Sequence, residues 1–466
     1  MKRFLLIFAA AALMLAACTR ENDPYGYVIR NGQAIYNTPE RPADQQSMLG
    51  FACAPIENVR VGFIGLGMRG HSSVKRYTFI EGATVAAVCD LLPERVEKMQ
   101  KSLEEKGIGN VAGYSGEDGY KQLCERDDID LVYLAVPWQL HTPIAVYAME
   151  HGKHVAIEVP AAISIKECWD LVNTSEKTRR HCMMLENCCY DYFELTCLNM
   201  ARQGLFGEIV HGEGSYCHNL DPFWDDYQGD WRMAYNREHR GDVYPTHGIG
   251  PVCQALDIHR GDKMDILVSM DTDAFRGQEL SDRRYGKGAY EYANGDNTCT
   301  LIRTRKGKTI LVEHSTVTPR PYSRMYQLMG TKGLANKYPN EGIAIGVPEN
   351  IDSIGIEDLD AEKYCSREQR EELMKQYQHP ITGTDGLEEK AREVGGHGGM
   401  DFIMDYRLIY CLNHGLPLDQ DVYDAAEWSS LVELSEVSIS NGSIPVVMPD
   451  FTRGEWNRIQ GLEFAM

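Results

Sequence analysis

Gly65, Gly67 and Gly70 stand in the run Val61-Gly62-Phe63-Ile64-Gly65-Leu66-Gly67-Met68-Arg69-Gly70, and Asp90 closes a second apolar run, Thr84-Val85-Ala86-Ala87-Val88-Cys89. Residues of these types at this spacing serve phosphate and ribose binding. An apolar strand that turns abruptly into a helix needs Gly65 for the tight turn, Gly67 so that a pyrophosphate can approach bare backbone, and Gly70 for close packing of helix on strand. The helix amino terminus then meets the phosphates with free N–H groups and a favourable dipole. An acid at the end of the second strand accepts hydrogen bonds from ribose hydroxyls, and Asp90 would repel a 2′-phosphate, which favours NAD over NADP. Because strand, glycine triplet, second strand and acid occur in register, the pattern predicts a dinucleotide site rather than a glycine-rich turn without a ligand.

The elements that must position these residues are legible in the apolar periodicity. Residues 59–64, 84–89, 129–136 and 154–159 are short and β-branched, as buried parallel strands are. Between them, 94–106, 142–152 and 164–180 are helix-like, the last opening on a Ser164 cap with Glu167 three residues on. This predicts an α/β fold whose N-terminal part, residues 58–187, is a doubly wound parallel sheet of Rossmann type. From 188 to 466 the pattern changes to longer strands at 209–216, 264–270, 297–303, 309–315 and 326–330, separated by polar loops. Consecutive strands without long helices between them imply a large, open, mostly antiparallel sheet. The stretch 340–399, with Gly395-Gly396 and Gly398-Gly399 around His397, reads as irregular, residues 400–440 as helical, and 19–57 as a tether or an arm laid over the surface.

A basic start, Met1-Lys2-Arg3, precedes an apolar run of fourteen residues that ends at Leu15-Ala16-Ala17-Cys18. That run is too short to span a bilayer, which takes about 20 apolar residues, and fits a secretory signal. Small residues before Cys18 resemble a bacterial lipoprotein signal, so residues 1–18 predict an exported, lipid-anchored protein; an ordinary signal with an incidental cysteine is the alternative. Removal of Lys2 and Arg3 changes the net charge from −21 to 45 minus 68, or −23. Such acidity disfavours nucleic acid and anionic lipid as partners. The fourteen cysteines are scattered without a C-x-x-C pair. Mostly free thiols are therefore expected, and zinc is not.

The glycine fingerprint, the strand Leu131-Val132-Tyr133-Leu134-Ala135-Val136-Pro137 followed by His141, the segment His151-Gly152-Lys153-His154-Val155-Ala156-Ile157-Glu158-Val159-Pro160, and Gly330-Thr331-Lys332-Gly333 together resemble the Gfo/Idh/MocA family of NAD-dependent sugar enzymes. The resemblance covers nearly everything from residue 58 onward. It implies a Rossmann domain, a second domain whose open sheet floors a sugar site, and homo-oligomers in which sheets of partner subunits pack together. One departure bears on chemistry: dehydrogenases of this family read Glu-Lys-Pro where this chain reads Glu158-Val159-Pro160. With Trp138-Gln139-Leu140-His141, Glu186-Asn187-Cys188-Cys189-Tyr190, Trp231-Arg232 and Tyr244-Pro245-Thr246-His247-Gly248, the chain is similar instead to glycoside hydrolase family 109, exported bacterial α-N-acetylgalactosaminidases that keep NAD bound.

That resemblance implies a glycan substrate with terminal N-acetylgalactosamine and a route in which C3 is oxidised by NAD+, C2 is deprotonated, the C1 substituent is eliminated, water adds and the hydride returns. It implies cofactor contacts from Met68, Arg69, Asp90, the run Trp138, Gln139, Leu140 and His141, and from Glu158, Val159 and Asn187. Substrate contacts fall on Tyr216, Arg232, Tyr244, Pro245, Thr246, His247 and Tyr326. His247 is the expected proton carrier at the C3 hydroxyl, since imidazole titrates near neutral pH and Pro245 and Gly248 shape its turn. Tyr190 or Tyr244 would be the C2 base, with a pKa lowered beside a cation or the nicotinamide, although buried tyrosines are commonly packing groups with one hydrogen bond. Arg232 beside Trp231 suits a sugar. His218, His239 and His259, with Asp221, Asp225 and Asp226, have no compact ligand spacing, so no metal is expected. Two other functions remain open to the sequence: an NAD-dependent sugar dehydrogenase, and a non-catalytic glycan-binding lipoprotein.

Overall fold

In the computed structural model, residues 23–346, 354–357, 359–360, 362–383 and 386–466 are described; residues 1–18, expected from sequence to be a signal ending at Cys18, lie outside them. Two strands, β1 (Tyr27–Arg30) and β2 (Gln33–Tyr36), form a hairpin. The first large layer is built from β3 (Val59–Ile64), β4 (Ala83–Asp90), β5 (Ala112–Ser115), β6 (Leu131–Leu134), β7 (His154–Ile157) and β8 (Cys182–Met184), all parallel in the order β5-β4-β3-β6-β7-β8. Helices α1 (Met68–Tyr77), α2 (Pro93–Glu104), α3 (Gly119–Cys124), α4 (His141–Glu150) and α5 (Ile165–Thr178) connect them. Every side chain of β6 and β7 is buried, as expected for parallel strands covered on both faces. The predicted Ser164 cap is present, its side chain accepting from the Glu167 N–H at 3.2 Å.

The second layer is a ten-stranded sheet in the order β1-β2-β16-β10-β11-β12-β9-β13-β14-β15, with β9 (Ile209–Cys217), β10 (Met264–Asp271), β11 (Thr298–Thr304), β12 (Thr309–Ser315), β13 (Gln327–Gly330), β14 (Gly333–Asn336), β15 (Gly342–Ile345) and β16 (Val446–Val447). It is antiparallel except where β12 pairs β9 and β16 pairs β2. Strict alternation in β11 buries Thr298, Thr300, Ile302 and Thr304 and turns Cys299, Leu301 and Arg303 outward, so one sheet face packs inward and the other is open. Helices α6 (Tyr192–Arg202), α7 (Trp231–Glu238), α8 (Thr246–Ala255), α9 (Arg276–Tyr285), α10 (Arg367–Gln376), α11 (Pro380–Gly383), α12 (Leu387–Val394), α13 (Met400–His414) and α14 (Val422–Ser440) complete this part. The last is buried nearly all round because it lies between the layers, against α5, β8 and β10, and its buried residues include Asp424, Glu427 and several serines.

Two stretches differ from the expectation. Residues 23–57 form the edge hairpin, which β16 joins to the sheet, and Arg41 then ties the arm to Glu176 at 3.2 Å. The turn is Asn31-Gly32, both at positive φ (51° and 76°), a pair that suits a two-residue hairpin. Within 340–399, where irregular chain is expected, α10 opens on a capping box in which Ser366 accepts from Gln369, and α12 follows. The thirteen cysteines among the described residues are free, and ten of them are buried.

Several buried histidines are held neutral by desolvation. Burial lowers His154, His218 and His379 to about 4 and His314 to about 3, and pushes His181 well down. An unfolded histidine titrates near 6.5, so below that pH the unfolded chain binds more protons and stability falls. His239 and His259, raised, act in the opposite direction. Buried Glu194, Asp242 and Asp405, raised to about 7, bind more protons in the folded chain and oppose the histidines over the same range, so the sign is read by substitution: in His379→Gln the urea midpoint, followed by circular dichroism, should fall less or rise more from pH 7 to pH of about 4.5 than in the unchanged chain, and parallel pH profiles would contradict the assignment.

Candidate functional site

The residues of the glycine fingerprint occupy the carboxyl ends of the parallel strands, where open α/β sheets bind ligands. Gly65 (φ 92°) follows β3, and a Cβ there would stand 2.3 Å from the Ala135 carbonyl oxygen; one on Gly70 would stand 1.8 Å from the Gly65 carbonyl oxygen. At Gly67 the same position is open, with only Arg95 at 3.6 Å. The loop thus has glycine twice for packing and once for access. Asp90 at the end of β4 accepts from the Leu66 N–H at 2.6 Å and the Leu92 N–H at 3.0 Å, which fixes its carboxylate beside the loop. After β6, Trp138 to Leu140 form a single 3-10 turn, with Gln139 and Leu140 exposed and Trp138 buried. His141 contacts the Pro160 carbonyl through Nδ1 at 2.7 Å, leaving Nε2 buried without a protein partner at the same strand ends. A bare loop, a fixed acid and an orphaned buried imidazole nitrogen fit a dinucleotide.

Glu158 after β7 and Asn187 after β8 meet Arg69 through a residue that sequence periodicity does not reveal. Arg69 Nε donates to Glu158 at 2.7 Å, and its Nη1 donates to Asp401 at 2.6 Å. Asn187 Nδ2 donates to the other Asp401 oxygen at 2.6 Å, and Arg76 lies 3.6 Å away. Burial would raise Asp401, but Arg69, His397 and Arg76 hold it well below the usual carboxylate range. His397, with φ 44° between glycines 395, 396, 398 and 399 that are all at positive φ, puts Nδ1 2.9 Å from Asp401 while its side chain stays 60% exposed. It separates two cavities of about 440 and 530 Å³. An imidazole so held has its second nitrogen toward solvent.

The sugar side rests on a close approach of α8 to β9. Gly214 and Gly248 face each other, and a Cβ on Gly214 would stand 2.1 Å from the Gly248 carbonyl oxygen. That contact sets His247 beside Tyr216, ring centroids 5.5 Å apart, and beside Tyr244 at 5.1 Å. Tyr244 stacks on Trp138 at 5.6 Å, which joins this cluster to the 3-10 turn after β6. Arg232 is buried within it, its guanidinium 4.6 Å from the Tyr244 ring, 5.1 Å from Trp138 and 6.0 Å from Tyr216, and it donates to the Tyr227 hydroxyl at 2.6 Å. A cation with no carboxylate partner among the described residues, enclosed by aromatic rings, is suited to polar, uncharged groups of a ligand. Glu186 accepts from His247 Nδ1 at 2.7 Å. Burial would raise its carboxyl, but His247, Thr246 and the Cys188 N–H hold it below the ordinary value.

Of the residues named from sequence, Met68, Arg69, Asp90, Trp138, Glu158 and Asn187 fall at the strand ends, and Tyr216, Arg232, Tyr244, Thr246 and His247 converge next to them. Two tyrosines lie elsewhere. Tyr190 is wholly buried, its hydroxyl on Asp419 at 3.3 Å beside Arg407, and burial with Asp419 drives its pKa well up, opposite to the lowering expected of a base. Tyr326 packs edge-on to Phe193 with its hydroxyl on the Glu194 carbonyl at 3.4 Å; Tyr322 instead is the ring that joins Tyr216 and His218. The expectation for Tyr326 comes from the family resemblance alone; Met325 and Tyr326 both have positive φ just before β13. Tyr244 is also raised well above its usual pKa, by burial and Tyr216, with Arg232 opposing. His218, His239 and His259 go to separate partners, Tyr216, Glu436 and Glu427. Among the described residues, Glu186, Cys188 and His247 do bring one ligand atom each within 4.8 Å of one another.

Comparison with known proteins agrees with this division. Residues 59–186 match the family model described as oxidoreductase family, NAD-binding Rossmann fold, and residues 190–458 match glycosyl hydrolase 109, C-terminal domain. The chain is 58% identical over 431 residues to glycosyl hydrolase family 109 protein 1 of Phocaeicola vulgatus, covering 92% of this chain and 91% of the relative. It is 57% identical over 458 residues to the protein of the same name from Bacteroides fragilis, covering 97% of each. Among solved structures, levoglucosan dehydrogenase in complex with NADH shares the fold with a TM-score of 0.61 at 17% identity, over 84% of this chain and all of that one. NAD is therefore the cofactor of the N-terminal domain.

Replacing Asp401 by Ala removes the buried acceptor shared by Arg69 and Asn187, while Arg69 keeps Glu158 and Arg76 keeps Asp405, which should cost about 1–3 kcal/mol and most of the retained NAD. Urea unfolding and the NAD content of the purified protein check this, and an Asp401→Ala protein with full cofactor would contradict the network's role. Gly70→Ala should likewise lose NAD, because its Cβ displaces the loop; unchanged cofactor content would contradict that packing.

Proposed function

This chain belongs to glycoside hydrolase family 109, and from that premise we propose that it releases terminal α-linked N-acetylgalactosamine from glycans. The observation that carries the reading is the single cluster in which Trp138, from the NAD-binding layer, stacks on Tyr244, beside Arg232 and His247 of the second layer. Bound NAD supplies a hydride acceptor for C3 of the sugar and a donor that restores it, so the reaction is redox neutral. His247, anchored through Nδ1, takes and returns the C3 hydroxyl proton at Nε2. Arg232 donates to a sugar oxygen or the acetamide carbonyl, and Trp138 and Tyr244 exclude water behind it. With C3 a ketone, the C2 proton becomes acidic. Tyr244, unlike Tyr190, stands beside Arg232 and His247, and it would remove that proton as the phenolate, the form that Arg232 favours against burial. His397, at the exposed lip on Asp401, is placed to exchange a proton with the departing alcohol.

Val159 stands where dehydrogenases of the fold carry lysine, which disfavours net oxidation of a free sugar. Export through the segment ending at Cys18, with lipid on that cysteine, belongs to the same proposal: free NAD is scarce outside the cytoplasm, and a cofactor regenerated in each turnover needs no resupply. We also propose a homo-oligomer built on the open sheet face, where Met270 (64%), Leu301 (54%) and Met329 (39%) are exposed.

Incubated with an aryl α-N-acetylgalactosaminide in deuterated water without added cofactor, the protein should release sugar carrying deuterium at C2. Release without C2 exchange would refute the elimination route. His247→Ala should lower turnover by at least about 100-fold while leaving NAD bound; unchanged turnover would remove His247 from the chemistry.

A further inference from the structure

Glu186 is fully buried, and a carboxylate so placed is costly unless its position serves the groups around it. Its surroundings hold it still. Its own N–H donates to the Met184 carbonyl at 3.0 Å, its carbonyl accepts from Gln420 Nε2 at 3.1 Å, and its Oε1 accepts from the Cys188 N–H at 3.1 Å as well as from His247. Helix α8 carries glycine at the point where the carboxyl enters: a Cβ on Gly250 would stand 2.8 Å from Glu186 Cγ. The polar and charged groups around His247 are otherwise Tyr216 of β9, His218 just after it, Tyr244 before α8, Arg232 of α7 and Cys188, none of them an anion at neutral pH.

We propose that Glu186 is the positioning residue of the reaction: it holds His247 in the tautomer protonated at Nδ1 and aims Nε2 at the sugar hydroxyl. An ionised carboxylate only accepts, so the shared proton sits on Nδ1 and the lone pair is left on Nε2. The ring is then fixed before substrate arrives, which removes a rotational and tautomeric search from the proton-transfer step. The proposal rests on the reading of His247 as the proton carrier, and extends it to the group that makes the imidazole a base on the correct side.

Nitrogen NMR of the full-length, NAD-loaded protein labelled in histidine tests it without reference to turnover. The resonances that vanish in His247→Asn are assigned to His247; at pH of about 7 they should report a protonated Nδ1 and a bare Nε2. An Nε2–H tautomer overturns the proposal, and so does a spectrum that changes on adding one equivalent of zinc, which would make Glu186, Cys188 and His247 a metal site instead. In Glu186→Gln the amide can donate or accept, so kcat should fall about 100-fold or more with KM and bound NAD nearly unchanged. Glu186→Asp should recover to within about 10-fold of wild type, since it restores an acceptor that only accepts. If Glu186→Gln keeps kcat within about twofold, or loses KM and kcat together, Glu186 is a packing group. Should the glycosidase reading fail, the tautomer measurement still decides the placement of the proton.

Discussion

Asp401 is the constraint on which the cofactor side depends. A single buried carboxylate on α13 receives Arg69 and Asn187, with Arg76 and His397 close by. Arg69 comes from the helix behind the glycine loop, Asn187 from the turn after β8, and Glu158, which Arg69 also grips, from the end of β7. A desolvated anion is unfavourable alone; Arg69, which also holds Glu158, and Arg76, which also holds Asp405, compensate it, and the network locks the second layer to the first. The strand ends that make a dinucleotide crevice are thereby fixed by a helix that belongs to the other sheet.

On the sugar side the corresponding constraint is steric. Glycines 212 and 214 of β9 allow α8 to lie against the sheet closer than any side chain would permit, a Cβ on Gly212 meeting Val252 at 2.4 Å. His247 stands one residue before Gly248 in that contact, and Tyr216 two residues beyond Gly214. The packing that seats the helix therefore also sets the distance between imidazole and phenol. Trp138 then closes the gap between layers, so in the proposed reaction hydride and proton transfer would share one aromatic enclosure in which each electrostatic contact is stronger than in water.

What could be read in the sequence were features carried within one segment: the glycine spacing, the acid at the end of β4, the Ser164 cap, and the strands β3 and β12, whose limits match the apolar runs. His247 stood out through the family resemblance, its turn being only consistent with it. Features that depend on a partner far along the chain were not visible. Asp401 lies 332 residues from Arg69 and looks in sequence like any acid opening a helix. Glu186 lies 61 residues from His247. That Tyr322 rather than Tyr326 contacts Tyr216 and His218 was not visible either, because the expectation for Tyr326 came from the resemblance and not from a local pattern. By contrast, the edge hairpin had a readable signal in Asn31-Gly32, and α10 in Ser366 followed by Gln369; composition rich in polar residues obscured both.

The central claim is that retained NAD is reduced and reoxidised within each turnover. It is tested most directly by adding excess aryl α-N-acetylgalactosaminide to purified protein that holds only its own NAD, while reduced nicotinamide absorbance and released sugar are recorded together. The account predicts that reduced nicotinamide settles at a level below the protein concentration while sugar release continues through many turnovers. Accumulation of reduced nicotinamide in step with product would contradict it.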